Sequence, residues 1–215
     1  MSPNLTPALL LQAYAAGIFP MSEHRDDPEV FWVDPQYRGI LPLDGFHISR
    51  SLARRMRRGG YEASLNADFE GVLRGCADRP DTWISGPIHA AYMALYHMGH
   101  AHSLEIRQDG ALCGGVYGVA LGGAFFGESM FSRRTDASKL ALAHLTDHLS
   151  LCGFALFDTQ FITPHLARLG GRNIPRNSYR RCLHQALGLG VDITDMLFDP
   201  DPRQILQRRT QTSKR

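Results

Sequence analysis

Apolar residues alternate with small or polar ones through Gly122-Gly123-Ala124-Phe125-Phe126-Gly127-Glu128-Ser129-Met130-Phe131, which predicts a strand carrying Phe126, Glu128 and Met130 on one face. A second strand is predicted over Phe154 to Gln160, with Leu156, Asp158 and Gln160 on one face and Phe157 on the other. Between them a helix starts at Thr135 or Asp136, repeats Leu142, Leu145 and Leu149 at i, i+3 and i+7, and closes at Gly153. Strand, helix, strand at this spacing is a crossover between parallel neighbours. Upstream, Ser103 to Arg107 and Leu112 to Leu121 flank the Asp109-Gly110 turn as a hairpin, and Gly122-Gly123 leads into the Glu128 strand, completing a three-stranded meander.

Helical spacing also marks the segments from Thr6-Pro7 to Gly17, from His47 to Arg58, from a cap at Asn66 through Phe69, Val72, Leu73 and Cys76, and from Ser85-Pro87 to Gly99. Thr163-Pro164 opens a short helix to Leu169, and Pro175 opens another carrying Tyr179, Cys182, Leu183 and Ala186. Ile18 to Met21 and Phe31 to Pro35 are apolar segments broken by prolines around a polar loop from Ser22 to Pro28. From Arg203 on, Arg208, Arg209, Lys214 and Arg215 with no acid suggest a fraying basic tail. Domains are expected at 1–62, 63–190 and 191–215.

The candidate chemistry lies in the two marked strands. Glu128 sits among large apolar groups, and Asp158 and Gln160 are poor strand formers at a strand's carboxyl end, where parallel sheets place their ligand sites. The competing reading is structural: the acids cap loops or pair with an arginine. On the His47 to Arg58 helix, Ile48, Leu52 and Met56 face one way and Arg50, Arg54, Arg57 and Arg58 the other, with Arg55 on the apolar side and no acid anywhere. That stripe suits a polyanion, although the chain's net charge is only +2.

The remaining signals exclude more than they assign. A chain of 215 residues with 44% hydrophobic content buries a full core, and no run approaches the roughly 20 apolar residues of a membrane span. With no basic leader and apolar cleavage region, a cytosolic protein is expected. Cys76, Cys113, Cys152 and Cys182 form no CxxC pair and read as free thiols. His97, His100 and His102 straddle a helix end and a strand start with only Glu105 nearby, a poor metal set.

Meander, crossover helix and strand give an α/β (α+β) class, in the order of an acyl-CoA N-acyltransferase-like (GNAT-like) domain after a small N-terminal domain with the basic helix. That fold's pyrophosphate loop is missing, because the crossover helix opens with Ser132-Arg133-Arg134-Thr135-Asp136-Ala137-Ser138-Lys139. The chain closely resembles the leucyl/phenylalanyl-tRNA-protein transferases. The resemblance is carried by Tyr14 to Met21, Phe31-Trp32, His47 to Ser51, Thr82-Trp83-Ile84, Gly99 to Ser103, Gly127 to Ser132, Ala137-Ser138-Lys139, Asp158-Thr159-Gln160 and Ile174-Pro175-Arg176.

The resemblance implies a monomeric cytosolic enzyme without cofactor or metal. Its donors would be leucyl-tRNA and phenylalanyl-tRNA, and its acceptors proteins that begin with Arg or Lys, which are thereby marked for degradation; an apolar slot selecting by fit would use methionine weakly. It assigns catalysis to Asp158 and Gln160, and substrate contact to Glu128, Trp32 and Trp83. The apolar amino-acid pocket falls on Phe125, Met130 and Phe157, with Val116, Leu145 and Leu149 as walls. Two alternatives stay open from the residues alone: an acetyltransferase using coenzyme A, and a plain RNA-binding module built on the arginine stripe.

Overall fold

The computed structural model describes residues 5–22 and 30–212; most of the expected Ser22 to Pro28 loop, and Lys214 and Arg215, lie outside the described residues. Thr6 Oγ1 accepts from the Leu9 amide at 3.2 Å and starts helix α1 (Pro7–Ala15), and strands β1 (Phe19–Met21) and β2 (Phe31–Val33) form a small antiparallel pair. Then follow β3 (Tyr37–Ile40), α2 (Arg50–Arg58), β4 (Glu62–Leu65), α3 (Phe69–Ala77) and α4 (Gly86–His97). The predicted meander is β5 (Ala101–Gln108), β6 (Ala111–Leu121) and β7 (Ala124–Ser132), and the crossover helix α5 (Ala137–Leu151) leads to β8 (Leu156–Gln160). The chain continues through α6 (Pro164–Arg168), β9 (Arg172–Pro175), α7 (Arg176–Leu187) and α8 (Pro202–Thr212).

Among the described residues the main sheet has seven strands in the order β4-β5-β6-β7-β8-β3-β9, all neighbours antiparallel except β7 and β8. The fold is mixed α/β, and β5 to β8 with α5 follow the GNAT-like order. Strand β3, from the stretch expected to form an N-terminal domain, is hydrogen-bonded between β8 and β9. Strands β3, β4 and β9 gave no alternation signal because each has only four residues and includes a charged one.

Two cores flank the sheet. One gathers Tyr14, Phe69, Val72, Ile88, Tyr92, Phe126, Leu156 and Tyr179 from α1, α3, α4, α7 and one sheet face. The other gathers Leu52, Met56, Phe125, Leu140, Leu145, Leu149, Phe157 and Ile205. Helix α5 lies inside this second core, between the sheet and α2 and α8, which is why even Thr146, Asp147 and His148 are buried on it.

Three expectations need correction. Asp68, not Asn66, caps α3, accepting from the Gly71 amide at 3.0 Å; Asn66 has φ 58° and instead ties β4 to β5, its Oδ1 accepting from the Ser103 amide at 3.0 Å. The tail does not fray from Arg203, because Ile205 is buried against the second core and Arg208 grips Asp147 of α5 through Nε at 3.1 Å and Nη2 at 2.6 Å.

The third correction concerns β7. Tyr117 pairs with Ser129 and Gly118 with Gly127, so Glu128 is the extra residue of a β-bulge. The bulge inverts the alternation: Phe126 and Phe131 belong to the first core, whereas Met130 packs against the second, so Phe126 and Met130 do not share a face. The parallel pairing of β7 with β8 covers only Ala124–Phe126 against Leu156–Asp158, and beyond it the two strands part.

The Asp147–Arg208 pair yields a prediction. Asp147 is 8% and Arg208 31% exposed, so losing the arginine should cost about 2 kcal/mol, between the values for exposed and fully buried pairs. Urea unfolding of Arg208→Ala should show that loss, and Asp147→Asn in the same chain should recover most of it; equal stability of Arg208→Ala and the parent would refute the expectation.

Candidate active site

Where β7 and β8 part there is a cavity of about 510 Å³. Val116, Met130, Leu142, Phe157 and Leu166 give it an apolar side drawn from the second core, and Phe19, Met21 and Trp83 face them from the first. Gly127 lies on this wall, and glycine is required there because a Cβ would stand 2.6 Å from Phe157 Cε2. Polar groups are few: Glu128, Ser129, Thr159, Gln160, Thr163, His165 and, on the loop before α4, Arg79.

Glu128 is ringed by hydroxyls. Tyr14 donates to its Oε1 at 2.8 Å, Tyr92 donates to its Oε2 at 2.7 Å, and the two hydroxyls are themselves 2.7 Å apart. This triangle has three short oxygen contacts and only two hydroxyl protons. With both protons given to the carboxyl group, the Tyr14–Tyr92 contact is left without one. Burial pushes the Glu128 carboxyl up to about 7, against the hydrogen bonds from Tyr92 and Tyr14, which favour the charged form. Burial first and the Glu128 charge second hold both tyrosines well above their ordinary range, so they stay donors.

Gln160 Nε2 donates to Glu128 Oε1 at 3.1 Å, which leaves the Gln160 amide oxygen as its remaining acceptor. Its backbone is in the left-handed region, φ 55°, uncommon for a residue with a side chain. Asp158 Oδ1 holds that conformation by accepting from the Gln160 amide at 2.8 Å, an Asx turn. Asp158 also takes Arg38 Nε at 2.9 and 3.0 Å, Arg38 Nη2 at 2.7 Å and the Tyr179 hydroxyl at 2.6 Å. The Arg38 guanidinium is packed between the Phe19 and Tyr179 rings, 4.3 and 4.6 Å from their centroids.

The candidate residues thus divide. Glu128, Gln160, Trp83, Met130, Phe157 and Val116 meet at the cavity. Asp158 is fully buried behind it, with its lone pairs taken by Arg38, Tyr179 and Gln160. Phe125, Leu145 and Leu149, expected as pocket residues, lie in the second core away from the cavity surface; on α5 the lining residue is Leu142. The reason is register: α5 is buried on nearly every side, so periodicity alone could not tell which leucine faces the opening. Trp32 is half-buried in β2, paired with the cavity residue Pro20 but not itself at the cavity. Arg50, Arg54, Arg57 and Arg58 are exposed on α2, away from the cavity lining, and among the described residues no ion pair engages them. Arg55 is half-buried over the Tyr61 ring at 5.2 Å.

Sequence reasoning missed Tyr14, Tyr92, Arg38 and Tyr179. The three tyrosines sit on α1, α4 and α7 with their rings in the first core, where a sequence pattern marks them only as apolar positions. Arg38 carried one usable signal, a lone charge beside Gly39-Ile40-Leu41 that a buried position would oblige to find a carboxylate.

The sequence model for leucyl/phenylalanyl-tRNA protein transferase matches residues 40–184, and that for the same transferase's N-terminal domain matches residues 3–36. The chain belongs to the leucyl/phenylalanyl-tRNA protein transferase family. The leucyl/phenylalanyl-tRNA–protein transferase of Ruegeria pomeroyi is 64% identical over 98% of this chain and 100% of its own length. That of Ruegeria sp. strain TM1040 is 65% identical over the same shares. The solved structure of L-PGS from Bacillus licheniformis aligns with 94% of this chain and 70% of its own at 14% identity, with a TM-score of 0.41. This transferase family therefore supplies the context for the cavity: an enzyme rather than a passive binding module.

The ring around Glu128 gives a pH prediction. Its folded pKa, about 7, lies above the ordinary carboxylate value near 4.3, so the group contributes stability below that value and loses it as pH rises through 7. The loss is on the order of 3 kcal/mol. Thermal unfolding of Glu128→Gln should therefore gain on the parent between pH 5 and 8; a Tm difference that stays constant across that range would contradict the assignment.

Proposed function

We propose that this transferase moves leucine or phenylalanine, and methionine weakly, from aminoacyl-tRNA to cytosolic proteins that begin with Arg or Lys, making a degradation signal. The single observation that carries this reading is one cavity with an apolar slot on one side and the Glu128–Gln160 pair on the other. The slot suits side chains unbranched at Cβ, and misfit of a methylene costs only about 1 to 3 kcal/mol, so methionine is accepted poorly rather than refused. The acid suits a cation. At neutral pH Glu128 is near half ionisation, and an arriving guanidinium or ammonium group draws off its proton.

The ester is already activated, so positioning is most of the catalytic task. The acceptor's α-amine, roughly a tenth neutral at pH 7, attacks the ester carbonyl carbon; the C–N bond forms, the C–O bond to the ribose breaks, and the proton passes to the ribose oxygen. Gln160, its NH₂ turned to Glu128, offers its amide oxygen to an N–H of the attacking amine and fixes the lone pair's direction. Asp158 acts through Gln160 as a positioning residue and does not abstract a proton, because donors already occupy it.

The deciding assay supplies labelled leucyl-tRNA and a peptide beginning with Arg, with and without ribonuclease pretreatment; incorporation that survives ribonuclease, or needs acetyl-CoA, overturns the reading. Gln160→Ala should lower kcat about 10- to 100-fold in a folded protein, while Asp158→Ala should lose about 3 to 5 kcal/mol of stability by stranding Arg38. Full turnover by Gln160→Ala would move catalysis elsewhere. For the α2 stripe, Arg54→Glu with Arg58→Glu should raise the KM for aminoacyl-tRNA and flatten the log-log salt dependence by about 2. An unchanged slope would mean the stripe only faces solvent.

A further inference from the structure

A second concavity, of about 500 Å³, lies on the other side of the loop that carries Arg79 and Trp83 into the cavity. It is lined by Arg74 of α3, Arg133 after β7, His89, and the first residues of α4. Helix α4 has 12 residues, and its N-terminus is uncapped: Ser85, at the capping position, makes no side-chain hydrogen bond to the first turn. Ser85 is 2% exposed, and its buried Oγ has no hydrogen-bond partner among the described residues. A buried hydroxyl without a partner is costly, and here it stands beside the amides and positive end of a helix, where an anion is favoured.

The charges around it agree. Arg133 gives Nη2 to Asp78 at 2.9 Å and Arg74 gives Nη2 to Glu70 at 2.6 Å, both exposed pairs that use part of each five-donor fork. Among the lining residues the two arginines outnumber the one acid, Asp78, and Glu70 lies outside the lining. Groove and cavity are joined rigidly: Arg79 Nη2 donates to Ser129 Oγ at 2.7 Å and to Met130 O at 3.1 Å, so the loop between them is tied to β7. Met130 lines the cavity and Arg133 the groove, three residues or about 10 Å apart along the chain.

From this arrangement we infer that the groove at the α4 N-terminus binds a backbone phosphate in the unpaired 3′ end of the donor tRNA while the esterified amino acid lies in the cavity. This rests on the donor assigned above. The phosphate is held by the Ser85 hydroxyl, the Gly86 amide and the Arg74 and Arg133 guanidinium groups, Pro87 having no N–H to give. None of these contacts reads a base, so the groove supplies affinity and register without sequence preference.

The test compares two donors, leucyl-tRNA and leucyl-adenosine, the second having no phosphate, with one Arg-initiated peptide as acceptor. Ser85→Ala removes an unpartnered hydroxyl, so a purely structural role predicts a Tm equal to or above the parent's and no kinetic change. Phosphate binding predicts that the ratio of kcat/KM for leucyl-tRNA to that for leucyl-adenosine falls about fivefold in Ser85→Ala and further in Arg74→Ala/Arg133→Ala, through KM rather than kcat. A ratio unchanged in both variants overturns the inference. So does inorganic phosphate binding that shifts the Gly86 amide resonance in the parent and not in Ser85→Ala while the ratio stays unchanged, because the groove then takes a free anion. If the parent transfers from neither donor, the donor assignment itself has failed, a separate result.

Discussion

The Arg38–Asp158 pair is the constraint from which the candidate active site is built. At 1% and 0% exposure, both charges have left water, and such a pair is tolerable only when nearly every donor and lone pair is satisfied. Here it is, by two Arg38 nitrogens, the Tyr179 hydroxyl and the Gln160 amide on the acid, and by Gly17 O on Arg38 Nη1 at 3.1 Å. Those groups come from β3, β8, α7 and the end of α1, so one ion pair fixes four distant segments against each other. Its last bond sets the backbone of Gln160, and through Gln160 the pair reaches Glu128.

Two irregularities in the sheet make room for chemistry. The bulge at Glu128 pulls that residue out of the β6 pairing, and the short parallel contact between β7 and β8 ends at Phe126 and Asp158. A regular sheet would have filled the gap with hydrogen bonds. Instead the opening passes between two hydrophobic cores, and the acid is bound by hydroxyl groups whose helices are held by ordinary packing. Packing and polar contact coincide in Tyr14 and Tyr92: the same rings that complete the first core aim their oxygens at the carboxyl group.

Long elements were legible in the sequence because each repeats its pattern often enough to be read; β5, β6, β7, α5 and β8 all follow expectation, as does the oddness of Glu128, Asp158 and Gln160 among apolar neighbours. Four-residue strands were not legible, nor was α8, whose sequence is mostly polar and whose place depends on Ile205, Leu206 and one distant acid. The bulge left no local trace in the alternation and reversed the assigned face of Met130. Leu142 could not be told from Leu145, since all of α5 is buried. Arg38 and Tyr179 act through residues 120 and 21 positions away in the chain, a separation that no local pattern records.

The division of the cavity between two cores has a consequence for how such an enzyme changes over time. The apolar side, Val116, Met130, Leu142 and Phe157, which the proposed function gives to the transferred side chain, belongs with α5 to the second core, whereas the polar side hangs from α1, α4 and α7. Each half rests on its own foundation, so enlarging or narrowing the slot leaves the geometry of the acid and amide undisturbed. Selectivity for the amino acid and the machinery of transfer are thereby free to drift at separate rates, and a designer wishing to load a non-natural side chain would begin at Leu142 and Met130.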